Sequence, residues 1–380
     1  MIKCAAIYPN HITEEYKGKV KESVRRAFEH HFDEIFTTIH LPEYTLEEQM
    51  ECFFMIAKEA KQYGLEVTAD IGGAYITEIL SDEEKLAYLK KIPVDFIRLD
   101  YGYAEDQVRT LYEQLEIRGF VFNASIYSKR EVDEIMSFFQ SIAEKIEIRA
   151  CHNFYIRKDS GVDSEYALHQ DSYLAEYQVP IYYCVPSYSN PRGPLHLGLC
   201  TLEKHRNKCI RNILTDLYLN YNLSAFMMAD EWLNEEEYEE VEETLNILTM
   251  ELPKEVVIDV QFFDNISKEE KDIVLKSHTF RNDSPEQFLR SQSSRQMAEF
   301  GCQIEENHTT VREEGVITID NKLHKRYSGE LQVVTKEACR DEKVNVVAKL
   351  VHLKDLSKLL RFREGISYRF KEVEDHESNS

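Results

Sequence analysis

The chain of 380 residues has no run of about 18 apolar residues, the length a helix needs to cross a bilayer, so no membrane-spanning helix is expected. Its opening stretch, MIKCAAIYPNHITEEYK, holds an apolar segment too short for the core of a secretory signal. The expected location is therefore the cytoplasm. No CxxC pair occurs among the eight cysteines, and several of them sit inside apolar runs, where cysteine packs as a small hydrophobe. Neither a disulfide framework nor structural zinc is expected, and only three residues precede Cys4, too few for a lipoprotein leader. Basic residues are also scarce, 46 against 69 acidic ones, for a net charge of −23. A surface of that sign repels polyanions, which argues against nucleic acid or an anionic membrane as partner. Any anionic ligand must be caught by a local basic pocket. HExxH, an EF-hand loop, a Walker A motif and regular His/Cys spacing are all missing, so neither metal nor cofactor is expected.

What is present is alternation. Short β-rich apolar runs at Lys3–Tyr8, Glu34–His40, Leu65–Asp70, Phe96–Asp100, Gly119–Ala124, Ile146–Cys151, Val179–Cys184 and Leu223–Ala229 are separated by amphipathic helical stretches. Their ends mostly recur at about 30 residues, the length of one strand, one helix and two loops. Eight such units predict a (β/α)8 TIM barrel, an α/β fold, over residues 1–252. Thr45-Leu46-Glu47-Glu48 opens one helix, with helical spacing from Glu47 to Tyr63, and the acids of Ser81–Lys90 open another. The competing doubly wound sheet normally carries a Gly-rich loop after its first strand, and Tyr8-Pro9-Asn10-His11 is not one.

Pro253 ends an acidic helix at Asn234–Thr249, and the pattern then changes. Strand signals at Val256–Phe263, Gly315–Asp320, Gly329–Val334, Val344–His352 and Ile366–Phe370 are divided by polar turns. They predict a small, mostly β domain over 253–370, a small barrel with one helix near Ser284–Phe300, followed by a loose polar tail at 371–380.

Barrel enzymes react at the C-terminal ends of their strands, so the polar residues closing each apolar run are the ones to weigh. These are His40 and Glu43 after strand 2, Asp70 after strand 3, and Arg98, Asp100 and Tyr101 at strand 4. Asn123 closes strand 5, His152, Asn153 and Tyr155 follow strand 6, and Asp230 and Glu231 end strand 8. Asp70, Asp100 and Asp230 each end a strongly apolar run, where desolvation and neighbouring donors pull carboxyl groups apart in acidity. Such a set suits glycosidic cleavage, with one group protonating the leaving oxygen and another attacking or stabilising the sugar centre. The plainer readings are helix caps for Asp70 and Asp230, an ion pair with Arg98 for Asp100, and a buried, hydrogen-bonded ring for His152. The Gly/Pro-rich connection after strand 7 brings Arg192, Lys204, His205 and Arg206 into an acidic protein. Loops after strands 7 and 8 are a frequent phosphate site in such barrels. The alternative is that Glu203–Arg206 is the solvated first turn of a helix.

At these residues the chain resembles the bacterial 6-phospho-N-acetylmuramidases. The likeness is carried by Thr68-Ala-Asp-Ile71, Arg98-Leu-Asp-Tyr-Gly102, Asn123-Ala-Ser125, Ala150-Cys-His-Asn-Phe-Tyr155, Arg192-Gly-Pro194, Gly198-Leu199 and Thr201-Leu-Glu-Lys-His-Arg206. In the second domain it continues through Val316-Ile-Thr-Ile-Asp-Asn321, Arg326-Tyr-Ser-Gly-Glu-Leu-Gln332 and Asp341-Glu-Lys-Val-Asn345. Ile156, Lys158, Cys200 and Met228-Ala-Asp230 depart from the usual pattern at the border of the site. The resemblance implies a cyclophilin-like second domain and a phosphorylated amino-sugar substrate: cytoplasmic hydrolysis of 6-phospho-N-acetylmuramyl-N-acetylglucosamine during peptidoglycan recycling, by carboxylate acid/base chemistry. Asp100, Asp70 and Asp230 are then the catalytic candidates, with Asp100 foremost. Arg192, Lys204, Arg206 and more loosely Arg98 are the candidate phosphate and lactyl contacts. His40, Asn123, His152, Asn153 and Tyr155 are candidates for hydroxyls and the N-acetyl group. The second domain is expected either to close over the barrel mouth or to mediate a homodimer.

Two other readings stand beside this one. Another phosphosugar-processing barrel enzyme, such as an aldolase, usually needs a Schiff-base lysine in the barrel, and only Lys3 lies within the eight strands. A non-catalytic phosphosugar-binding protein would tolerate replacement of Asp70 and Asp100.

Overall fold

Alternation along the first eight strands sends Cys4, Ala6, Phe36, Phe96, Val121, Cys151, Tyr182, Cys184, Ala225 and Met227 into one buried cluster, while Ala5, Ile35, Ile97 and Phe226 pack on the other face. In a computed structural model, which describes all residues except 40, 101, 252, 298–303, 362–365 and 374–380, these strands close into a parallel barrel in sequence order. They are β1 (Ile2–Ala6), β2 (Glu34–Thr38), β3 (Glu66–Asp70), β4 (Phe96–Leu99), β5 (Gly119–Asn123), β6 (Glu147–Cys151), β7 (Ile181–Val185) and β8 (Ala225–Met228). Closure is completed by β1 pairing in parallel with β8.

The intervening helices are α1 (Glu14–Glu29), α2 (Leu46–Gln62), α3 (Gly73–Ser81), α4 (Glu83–Leu89), α5 (Glu105–Gln114), α6 (Lys129–Ile142), α7 (Ser164–Leu174), α8 (Ile210–Asn220) and α9 (Glu235–Thr249). Their starts follow from short-range chemistry. Thr45 and Glu48 form a reciprocal capping box at α2, as do Ser128 and Glu131 at α6, and Asp82 accepts the Glu84 and Lys85 N–H groups at α4.

Near the strand starts, the interior is filled by charge as well as apolar side chains. Arg149 on β6 donates to Glu34 (2.9 Å), Glu66 (2.7 Å) and the Tyr182 hydroxyl (2.9 Å), while its guanidinium lies 3.8 Å from the Phe96 ring centre. Arg118 joins Glu66 to Glu147. At this end of a barrel such a network serves stability, the chemistry being at the other end.

The chain divides into two compact units, Met1–Glu242 and Glu243–Ser380, with the division inside α9. The second unit contains β9 (Glu255–Phe262), α10 (Lys268–Val274), β10 (Ser277–His278), β11 (Phe288–Arg290), α11 (Ser294–Met297), β12 (Val316–Asp320), β13 (Leu331–Val334), β14 (Val344–Leu350), α12 (Asp355–Arg361) and β15 (Ser367–Glu372). Its sheet runs β10-β15-β9-β14-β12-β13-β11 and curls until Phe280 and Ser291, beside the two edge strands, form an antiparallel bridge. The helix expected near Ser284–Phe300 is largely replaced. Phe288–Arg290 pairs with β13, and only Ser294–Met297 is helical among the described residues. A three-residue strand carries too little periodicity to be told from a helix turn.

Candidate active site

Strand register assembles the site. Asp70 pairs directly with Arg98, and Leu99 with Phe122, so Asp70, Arg98, Asp100 and Asn123 end adjacent strands at one level. Arg98 donates to Asp70 Oδ1 (3.1 Å), Asp100 Oδ1 (3.3 Å) and Asn153 Oδ1 (2.8 Å). Asn123 Nδ2 donates to the same Asp100 oxygen (2.7 Å) and to Asn153 Oδ1 (2.9 Å). Arg98 and Asp70 are buried, whereas the Asp100 side chain is 26% exposed. Among the described residues, Asp100 Oδ2 accepts no hydrogen bond. One oxygen is therefore pinned and the other left available at the barrel mouth.

His152 lies beneath this cluster and is fully buried. Its Nε2 meets Asp171 Oδ1 (2.9 Å), and its Nδ1 meets the Ser125 hydroxyl (3.0 Å), which in turn accepts the Asn153 backbone N–H (3.0 Å). Tyr183 donates to the other Asp171 oxygen (2.6 Å). His152 thus positions Asn153 from behind. Tyr155 is anchored through its backbone N–H to Cys200 O (2.9 Å), and burial pushes its phenol up. His40 lies outside the described residues.

A different environment surrounds the end of β8. Asp230 is buried and accepts three backbone N–H groups, those of Ser187 (2.9 Å), Arg192 (2.8 Å) and Leu199 (3.1 Å). Both of its oxygens are occupied by the loop after β7. Glu237, also buried, binds the same loop through the Ser187 hydroxyl (2.7 Å) and the N–H groups of Tyr188 (2.9 Å) and Ser189 (3.2 Å). These two carboxylates hold the segment that presents Arg192. Its guanidinium carbon lies 3.9 Å from the Tyr8 ring centre, a stacking arrangement. Among the described residues that guanidinium has no hydrogen-bond or ion-pair partner, and it faces electrostatically toward Glu231. Burial pushes the carboxyls of both Asp230 and Glu231 above the usual carboxylate range, and Arg192 opposes the rise at Glu231.

The other basic residues of that loop are committed elsewhere. Arg206 spends its donors on Glu203 and on the carbonyls of Leu197, Gly198, Tyr155 and Arg157, so it staples two loops together and leaves no N–H for a ligand. Lys204 pairs with Asp216 on α8 (2.6 Å) beside the Tyr221 ring. Both Lys204 and His205 pull the Asp216 carboxyl down to about 2. Their sequence pattern, basic residues in a Gly/Pro-rich loop, carries no sign of these carbonyl and acidic partners.

Several site residues escaped the strand-end rule, namely Tyr8, Tyr103, Ser125, Asp171 and Glu237. Gly102 adopts φ +79°, a left-handed turn, and Tyr103 follows it. Its buried hydroxyl has no hydrogen-bond partner among the described residues and lies in the field of Asp70, Asp100 and Arg98. An orphaned buried hydroxyl costs desolvation energy. Tyr103→Phe is therefore expected to raise stability by about 1 kcal/mol in urea unfolding; a loss would reveal a partner for the hydroxyl.

Models of the 6-phospho-N-acetylmuramidase N-terminal and C-terminal parts match residues 4–243 and 256–371. A crystal structure of a conserved protein of unknown function from a locus in Enterococcus faecalis superposes with a TM-score of 0.62 at 24% identity, covering 98% of this chain and 96% of that one. An uncharacterized B. cereus protein gives 0.60 at 25% identity, covering 98% and 99%. No curated protein matches the sequence. No helix among the described residues is long and apolar enough to cross a membrane.

Proposed function

The chain belongs to the 6-phospho-N-acetylmuramidase family, and from that premise we propose that it is a cytoplasmic glycosidase. Its proposed substrate is 6-phospho-N-acetylmuramyl-N-acetylglucosamine, and its setting peptidoglycan recycling. The observation that carries this reading is the Asp100 carboxylate, held on one oxygen by Arg98 and Asn123 and, among the described residues, left without a hydrogen bond on the other. A carboxylate fixed in this way is preorganised to act on a sugar centre as nucleophile, base or orienter of the N-acetyl group. Asp70 supports it through their shared partner Arg98. In this reading Asp230 anchors the Arg192 loop, and Glu231, raised by burial, is the carboxyl suited to proton donation.

Arg192 accounts for the anionic end of the substrate. Its fork of donors fits phosphate or carboxylate oxygens, and stacking on Tyr8 fixes the fork's plane without using those donors. Asn123, Asn153 and Tyr155 offer hydrogen-bonding groups for hydroxyls and the N-acetyl group.

Incubation with the 6-phosphorylated disaccharide and its unphosphorylated twin, followed by mass spectrometry, tests the reaction. Cleavage of the phosphorylated form alone is expected; binding without cleavage would move the protein to the phosphosugar-binding class. For Arg192→Ala, affinity for the phosphorylated form is expected to fall about 10- to 100-fold, the scale of a charged hydrogen-bond pair. Arg192→Lys should recover part of it, a point charge replacing the fork. Unchanged affinity in both variants would remove Arg192 from the phosphate contact.

A further inference from the structure

A cavity of about 470 Å³ opens between the β7–α8 loop, the residues just before α8, and Glu240 of α9. No residue of the Asp100 cluster lines it. Its volume lies within the range of small-molecule sites, about 300–1,000 Å³. Pro186, Pro191 and Leu197 supply apolar wall. Tyr188 adds an aromatic residue that is 45% exposed, and burial together with the nearby Glu240 charge pushes its phenol up.

The polar groups are of both signs. Glu240 accepts the Arg211 backbone N–H (2.9 Å), which keeps its carboxylate at the cavity edge. Lys208 is exposed and has no ion-pair partner among the described residues. Two further lining residues hold left-handed backbone, His196 at φ +52° and Asn207 at φ +60°, conformations that cost energy and cluster at functional sites. The His196 ring is fixed through Nδ1 to Pro191 O (2.8 Å).

An aromatic face beside apolar wall, rimmed by an amide, a carboxylate and an ammonium group, matches a pyranose ring. The ring's C–H face packs on Tyr188, and its hydroxyl edge bonds acceptors and donors alike. One acid and one base give no net charge, which favours a neutral sugar over a phosphorylated one. We propose that this cavity is a second carbohydrate site, apart from the Asp100 cluster, for a neutral pyranose ring. The assignment stands on the cavity's own chemistry and does not depend on the reaction at Asp100.

The test is saturation-transfer NMR and calorimetric titration of the full chain with N-acetylglucosamine. Saturable millimolar binding is expected for the native protein. Tyr188→Ala should weaken it about tenfold, the scale of one aromatic contact, and Glu240→Gln should also weaken it. Arg192→Ala, at the barrel mouth, should leave it unchanged. Lys208→Met, an exposed change that cannot disturb the core, provides a second probe should Tyr188→Ala fold poorly. Absence of saturable binding, or binding lost in Arg192→Ala and kept in Tyr188→Ala and Lys208→Met, overturns the proposal.

Discussion

Asp100→Asn is expected to lower turnover of the phosphorylated disaccharide by about a thousandfold or more, the scale of losing a charged group that acts at the transition state. The fold should survive, because the asparagine Oδ1 can still accept from Asn123 and Arg98, the two donors that hold Asp100 now. Only the outward group changes, from an anionic oxygen to an amide nitrogen. Initial rates followed by mass spectrometry, with circular dichroism melting as the control, separate chemistry from folding. Near-normal turnover would remove Asp100 from the mechanism.

Neighbouring carboxylates should respond differently. Asp70→Asn keeps an Oδ1 acceptor for Arg98 but removes the charge paired with that buried guanidinium, and is expected to cost stability together with activity. Asp230→Asn exchanges one acceptor oxygen for a donor facing backbone N–H groups. It should loosen the Arg192 loop and raise KM more than it lowers kcat. If Asp230→Asn instead reduced kcat alone, Asp230 would act at the reacting centre. Glu231→Gln should reduce kcat with little change in melting temperature.

The barrel was legible because strand alternation and helix starts are local properties. All eight expected strands overlap the observed ones, and the Thr45–Glu48 cap forms as its sequence predicts. Strand-end polarity also led to Asp70, Arg98, Asp100, Asn123 and Asn153, since parallel register brings neighbouring strand ends to one level. What escaped is long-range partnership. Arg206 reads as a free cation until the carbonyls of Tyr155 and Arg157, about fifty residues away in the chain, fold against it. Asp171 and Glu237 lie on helices, where charge ordinarily means solvent, yet one orients His152 and the other ties down the Arg192 loop. Lys204 is thus paired with Asp216 and Arg206 with Glu203 and loop carbonyls, and Arg192 is the basic residue of this loop whose fork has no partner among the described residues.

Asp320→Asn is expected to stabilise the second unit at alkaline pH and to have little effect in acid. Asp320 ends β12 with its side chain only 8% exposed, and among the described residues its carboxylate accepts no hydrogen bond. His324 Nε2 stands 3.8 Å away, while Glu330 and Asp341 repel the charge and Arg290 and Arg312 only partly offset them. Burial, followed by repulsion from Glu330, pushes the carboxyl from 3.8 up to about 7. Between those two pH values the folded state retains a proton that the unfolded chain releases. Stability contributed below about pH 4 is thus lost progressively as pH rises to about 7. At 1.36 kcal/mol per unit, the loss approaches about 4 kcal/mol. An amide resembles the protonated acid in size and carries no charge, so Asp320→Asn should match the native protein near pH 4 and exceed it by up to about 4 kcal/mol above pH 8. Urea titrations of both proteins at the two pH values measure the difference. Equal gains at both would show that burial of the charge is not what Asp320 costs the fold.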